Sequence, residues 1–346
     1  MKVAIITDQH FGMRKGSQIF HDYMKKFYDE VFFPTLDEYK IDQVIDLGDT
    51  FDNRKSIDFW SLDWAKENYY SKLADRNCTV YTVVGNHTSY YKNTLDLNAV
   101  NLLLSEYPNI FQISRPETIK IGGLDICFIP WICVDNETET FDEISKTPAK
   151  IAMGHLELSG FEAHPGYVMD HGMSADVFSK FKKVYSGHFH HRSHAGNVYY
   201  LGNPYQMYWN DYGDVRGFHL FDTGTMKSQF IKNPFNMFEK IFYNDEMTNY
   251  AMVSGEEYKD KFIKLIVEKK KNHYDFDMFI ERLYQVGIHE LKIIDNSHEE
   301  INTNGDIEVE GTISFLEKYV DEIDYEDKDN LKNIINSIYV ESLQVE

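Results

Sequence analysis

The sequence predicts an α/β (α+β) fold: a two-sheet β-sandwich flanked by helices, followed by a small β-α-β domain and a helical tail. Three observations carry this. Over residues 1 to about 225, apolar strand-like runs alternate with helical stretches, the pattern of a layered α/β unit. In the second half of that region strands follow one another with little helix between, as in antiparallel edges or a second sheet. Five strand ends finish in Asp, Asn or His, and four of the five carry a Gly immediately before the polar residue.

Composition bounds the reading. A chain of 346 residues, 42% hydrophobic and 15% aromatic, is long enough for one large domain and one or two small ones. No run approaches the ~18 apolar residues that span a membrane. The start, Met1 to Asp8, turns polar too soon for a signal peptide and reads as a first strand, so a cytoplasmic protein is expected. Cys78, Cys127 and Cys133 are scattered and odd in number, which suggests reduced thiols rather than a disulfide framework. A formal charge of −21 opposes broad non-specific attraction to nucleic acid. It leaves a DNA enzyme open, because divalent metals can supply the local positive charge.

The strands read in order are 3–7, 43–47, 79–84, 125–129, 150–153, 184–186, 198–201 and 217–221. The helical stretches are 19–39, 57–74, 97–104 and 175–181. The first strand ends in Asp8-Gln9-His10, the second in Gly48-Asp49-Thr50-Phe51-Asp52, and the third in Gly85-Asn86-His87. Later ends are Gly154-His155 and Gly187-His188-Phe189-His190. A lone Gly-Asp or Gly-His is usually turn chemistry. Five in one α/β unit are different, because the carboxyl ends of strands line the ligand crevice of such sheets. Asp, Asn and His at one rim suit a mixed nitrogen and oxygen metal site. His188 and His190, as i and i+2 neighbours, can aim to one side.

These ends, in this order, resemble the calcineurin-like metallophosphoesterases over about residues 1–225. Gly48 to Lys55, Ile129-Pro130-Trp131 and Gly154 to Phe161 are more specifically similar to the nuclease subunits of SbcCD-type complexes, the phage branch included. The resemblance implies a DNA nuclease with two divalent ions, Mn²⁺ ahead of Mg²⁺. Asp8, His10, Asp49 and His190 would hold the first ion; Asp49, Asn86, His155 and His188 the second, with Asp49 bridging. Such a pair clamps a phosphodiester and activates water, which fits the residue types present. The implied role of His87 is to stabilise the transition state and assist departure of the 3′ oxygen, work an imidazole suits. Here the chain departs from the family pattern: Thr88 stands where an Asp usually supports that His, and a hydroxyl can orient but not supply charge.

Around these lie lesser candidates. Asp52 either meets substrate or pairs with Arg54. Arg54, Lys55 and Lys92 are candidate phosphate contacts, against an ordinary solvated role. His191 should face away from its neighbours; His191, His194, His164 and His171 are left out of the ligand set. Phe59, Trp60, Leu62 and Trp64, then Leu97, Val100, Leu103 and Leu104, give two helices apolar faces that read mostly as core. The resemblance implies that these helices also form a homodimeric bundle.

The nuclease domain is read as 1–232 and a capping, DNA-contacting domain as 233–296, with Pro234 and Asn244-Asp245-Glu246 marking the change. Within it, strand 262–267 leads through the basic Lys269-Lys270-Lys271 to a helix capped by Asp275 and ended by Gly287, then strand 291–294. An acidic linker follows at 297–311. The tail, 312–346, carries two short amphipathic helices with Ile313, Leu316, Val320 and then Leu331, Ile335, Ile338. Helices this short need a partner surface. In the family that partner is an SMC-like ATPase, giving a heterotetramer that works in DNA recombination, repair and replication. The alternatives are a phosphomonoesterase or cyclic-nucleotide phosphodiesterase, which needs no tether, and a catalytically weak scaffold for the ATPase, which Thr88 alone favours.

Overall fold

A computed structural model describes residues 1–295 together with Val320, Lys328, Leu331 and Lys332. It divides into two compact units, Met1–Met237 and Phe238–Glu346. In the first, two six-stranded sheets each hold four adjacent parallel strands. One runs in the order Lys227–Lys232, Gly217–Asp222, Lys2–Ile6, Gln43–Asp46, Thr79–Val83, Ile110–Ile113. Its last four strands are parallel and its first two antiparallel. The other runs Ser193–Ala195, Val198–Tyr200, Lys183–Gly187, Ile151–His155, Leu124–Ile129, Glu117–Ile121, with four central parallel strands and an antiparallel strand at each edge.

Alternation along the strands explains why the sheets face each other. Val3 and Ile5 from one, and Ile126, Phe128, Ile151 and Met153 from the other, share a buried core. The intervening Cys127, Ile129 and Ala152 enter a second core on the opposite face. Helical segments Gln18–Phe27 and Phe33–Tyr39 are continuous through a π-helical turn at Tyr28–Phe32. A second such turn, Lys66–Tyr70, joins Phe59–Ala65 to Ser71–Asp75. Both turns place tyrosines in one aromatic cluster, where Tyr28 meets Tyr69 with ring centroids 5.0 Å apart.

Several elements differ from the sequence reading. The 175–181 stretch is only a 3₁₀ turn, Ala175–Phe178. Strands Ile110–Ile113, Glu117–Ile121 and Lys227–Lys232 and the helix Glu137–Lys146 were not anticipated. All three strands lie at sheet edges, where half-exposed faces weaken the apolar signal.

The second unit carries a three-stranded parallel sheet, Phe238–Asn244, Phe262–Lys269 and Glu290–Asp295, packed on the helix His273–Gln285. The tract read as a boundary thus holds a strand, Phe238–Asn244, which begins after Pro234 and ends on the first residue of the polar Asn244-Asp245-Glu246. Asn272, not Asp275, caps the helix: its Oδ1 accepts from the N–H groups of Tyr274 and Asp275. Gly287 follows the helix at φ 85°. Among the described residues no helix is long and apolar enough to cross a membrane. The linker 297–311 and Ile313, Leu316, Ile335 and Ile338 lie outside the described residues. Of the remaining tail candidates, Leu331 is helical and half-buried, and Val320 is helical and buried.

Candidate metal centre

The parallel strands of both sheets end at one rim, and the five polar ends converge there. Asp8, Asp49 and His155 are fully buried, and His10 nearly so. Four of the residues gathered here, Asp8, His10, Asp49 and His188, have φ between 49° and 86°. That region is uncommon for residues with a Cβ and costs of order 1 kcal/mol each. The strain is concentrated where side chains must turn back over the strand ends. The glycines serve close approach: a Cβ on Gly85 would overlap the Asp49 carboxylate, and one on Gly187 would overlap Thr7.

The donor atoms gather in small groups. Those of Asp8, His10 and His190 lie within 4.8 Å of one another, as do those of Asp49, His155 and His188. Asn86 joins the second group through Oδ1, 2.9 Å from His155 Nε2 and 3.2 Å from His188 Nδ1. His155 Nε2 also lies 3.0 Å from Asp49 Oδ2. Across the site, His10 Nε2 and His190 Nε2 face each other at 3.1 Å.

Hydrogen bonds behind the ligands fix which nitrogen faces the centre. His155 Nδ1 donates to the Leu47 carbonyl at 2.8 Å, leaving the Nε2 lone pair forward. Asp8 accepts from the His188 N–H at 3.0 and 3.1 Å and from Thr7 Oγ1 at 2.7 Å. Buried Arg216 donates to the His190 carbonyl and to Asp211 at 2.7 Å. Imidazole nitrogens, carboxylates and an amide oxygen converge here, a donor set that fits divalent cations.

Electrostatics reflect the same crowding. Burial alone would raise the Asp49 carboxyl, but His155, with His87 and His10, holds it well below the usual range. Burial would lower His155, yet Asp49, and then Asp8, push it up to about 9. His190 goes the other way, lowered by burial and by neighbouring His10 and Arg216. A cation bound here would compete with protons at His155.

His87 stands at the edge of the centre. Its N–H donates to Asp49 Oδ1 at 2.8 Å, and its Nδ1 donates to the Asp52 carbonyl at 2.6 Å, which turns Nε2 outward. Thr88 does not orient it: the hydroxyl closes its own turn, accepting from Gly85 N–H and donating to Gly85 O, both at 3.1 Å.

Of the other candidate residues, Asp52 and Arg54 lie beside this centre. Asp52 does not pair with Arg54; its carboxylate lies 3.1 Å from His10 Nδ1. Arg54 instead forks onto the Asn86 carbonyl, through Nε at 2.8 Å and Nη2 at 2.6 Å, which a loop folding back over the rim makes closer than its sequence neighbour. Lys55 and Lys92 are exposed outside the ligand groups. Lys269 and Lys271 both meet Glu246, and Lys270 meets Asp295, so that run is neutralised by partners rather than left as a basic patch. His191 pairs with Asp214 at 2.8 Å, away from the ligands as expected.

Two contributors escaped the sequence reading. Leu47 acts through a main-chain carbonyl, which no side-chain pattern can announce. Glu157, 3.7 Å from His188 Nε2, did have a signal: it lies at i+2 from His155 and so on the same side.

Comparison with known proteins agrees with this geometry. Residues 1–192 match the family model described as calcineurin-like phosphoesterase. The chain is 34% identical over 307 residues to exonuclease subunit 1 of Enterobacteria phage T4, covering 87% of each. A solved structure described as an archaeal phosphodiesterase aligns with 67% of this chain and 100% of its own, at 11% identity and a TM-score of 0.34.

Proposed function

The chain belongs to the calcineurin-like phosphoesterases, a family of metal-dependent enzymes, and on that premise we propose that it is a DNA nuclease subunit using two divalent ions. The observation that carries the reading is two donor groups, Asp8 with His10 and His190 and Asp49 with His155 and His188, with the His87 N–H bonded to Asp49 beside them. Asp8, His10, Asp49 and His190 would hold one ion, and Asp49, Asn86, His155 and His188 the other, with Mn²⁺ favoured over Mg²⁺ by four imidazoles. The ions, when bound, supply Lewis-acid stabilisation of phosphodiester charge and a lowered water pKa. The chain's own part is positional. Leu47 and Asp52 set imidazole tautomers, and His87, its Nδ1 held by the Asp52 carbonyl, would assist the departing 3′ oxygen when its Nε2 also carries a proton.

The nuclease reading extends to assembly. We place a homodimer contact on the apolar surface where Phe59 is 92% and Leu102 62% exposed, beside a groove of about 220 Å³ lined by Ile57, Tyr90 and Leu97. The unit 233–296 would cap the nuclease domain against DNA, and 312–346, beyond the linker, would dock on an SMC-like ATPase. The relative's description as a subunit supports a partner. DNA recombination, repair and replication are the setting such a complex implies.

One assay tests the reading: purified protein with Mn²⁺ on labelled duplex and single-stranded DNA, beside a chromogenic phosphodiester and phosphomonoester. Metal-dependent DNA cleavage is expected. Turnover of the small esters alone would favour a phosphatase or cyclic-nucleotide phosphodiesterase, and no turnover a scaffold. Deleting 312–346 should leave DNA cleavage intact and abolish co-purification with the ATPase; a truncated chain that still co-purifies would remove the tail from this role.

A further inference from the structure

Asp52 touches two histidines through two different groups. Its carboxylate Oδ1 accepts from His10 Nδ1 at 3.1 Å, and its main-chain carbonyl accepts from His87 Nδ1 at 2.6 Å. The imidazoles of His10 and His87 meet edge to face, with centroids 4.9 Å apart. Asp52 is itself anchored: its N–H donates to the Phe11 carbonyl at 3.0 Å, next to bonds from His10 N–H to Asp49 O and from Phe11 N–H to Thr50 O. The loops after the first two strands are therefore laced together where Asp52 sits.

We propose that Asp52 is a positioning residue whose carboxylate holds His10 in the Nδ1–H tautomer for the first metal ion, while its main chain holds His87 independently. The proposal rests on the two-ion reading above. The physical reason is that an imidazole can offer one ring nitrogen to a cation only if the other carries the proton, and a carboxylate facing Nδ1 selects that form and raises ligand basicity. His10 Nε2 is then the unprotonated nitrogen, facing His190 Nε2 at 3.1 Å as an acceptor. His155 obtains the same result from the Leu47 carbonyl. The two ions would thus be supported differently, one by a charged side chain and one by neutral main chain. Substitution at residue 52 removes only the first support, because the carbonyl that binds His87 survives it.

The test compares Asp52→Ala and Asp52→Asn with the parent. On metal-free protein, long-range proton–nitrogen correlation spectra report the His10 and His87 tautomers. Mn²⁺ titration followed by electron paramagnetic resonance then separates the two binding steps. For Asp52→Ala, His10 should lose its uniform Nδ1–H form while His87 keeps it, and one Mn²⁺ step should weaken about 10–100-fold with the other unchanged. Asp52→Asn retains an acceptor oxygen and should restore the tautomer and part of the affinity; it also serves if the alanine variant does not fold. An unchanged His10 tautomer, or equal weakening of both steps, overturns the proposal. Absence of Mn²⁺ binding in the parent would sink the two-ion reading, while the tautomer spectra would still decide the role of Asp52.

Discussion

His188 and His190 stand two residues apart and face different groups: His188 Nδ1 lies 3.2 Å from Asn86 Oδ1, and His190 Nε2 lies 3.1 Å from His10 Nε2. The positive φ of His188, 86°, breaks the extended geometry that would have aimed both rings at one point. The loop therefore closes the centre across two positions.

His188→Ala and His190→Ala should each lose at least about 10²-fold in cleavage, the scale of losing a metal-activated step. They should differ in binding, each weakening a different one of two Mn²⁺ steps in calorimetry. Loss of the same step in both variants would return the pair to a single ion.

His87→Asn should retain both Mn²⁺ steps and lose about 10²–10⁴-fold in DNA cleavage, the usual contribution of a positioned acid or base. Near-parental Mn²⁺-dependent cleavage by this variant would remove His87 from the reaction. The side chain is held by Asp52 O and the main chain by Asp49, so its loss should leave the ligands in place.

Phe59→Asp with Leu102→Glu should convert a dimer to a monomer in sedimentation at micromolar concentration without unfolding it, since both side chains already face water. A parent protein that sediments only as monomer would refute the dimer surface directly.

His219 gives a pH test. Burial, with Arg192 adding to it, lowers its pKa to about 3, against 6.5 for an ordinary histidine. The fold therefore favours the neutral ring. That contribution is complete above pH 6.5 and falls away as pH drops through 6.5 toward 3, at about 1.4 kcal/mol per pH unit. In urea melts at pH 7.5 and 5.5, His219→Phe should lose on the order of 1 kcal/mol less stability than the parent between the two conditions. Equal losses would show that His219 is not held neutral.

The sequence by itself determined the strands that matter and the residue types at their ends. Alternation in Val3–Ile5 and Ile151–Met153 and a Gly before Asp49, Asn86, His155 and His188 are local signals, set by which faces are buried and where backbones approach. Edge strands such as Glu117–Ile121 were not legible, because partial exposure dilutes the pattern. What only the tertiary structure decided was the partnership of each side chain. Asp52 reaches His10, which is distant along the chain, rather than nearby Arg54, and Arg54 crosses to Asn86. Those choices follow from two loops laid side by side at a sheet rim, a proximity that spacing along the chain does not encode.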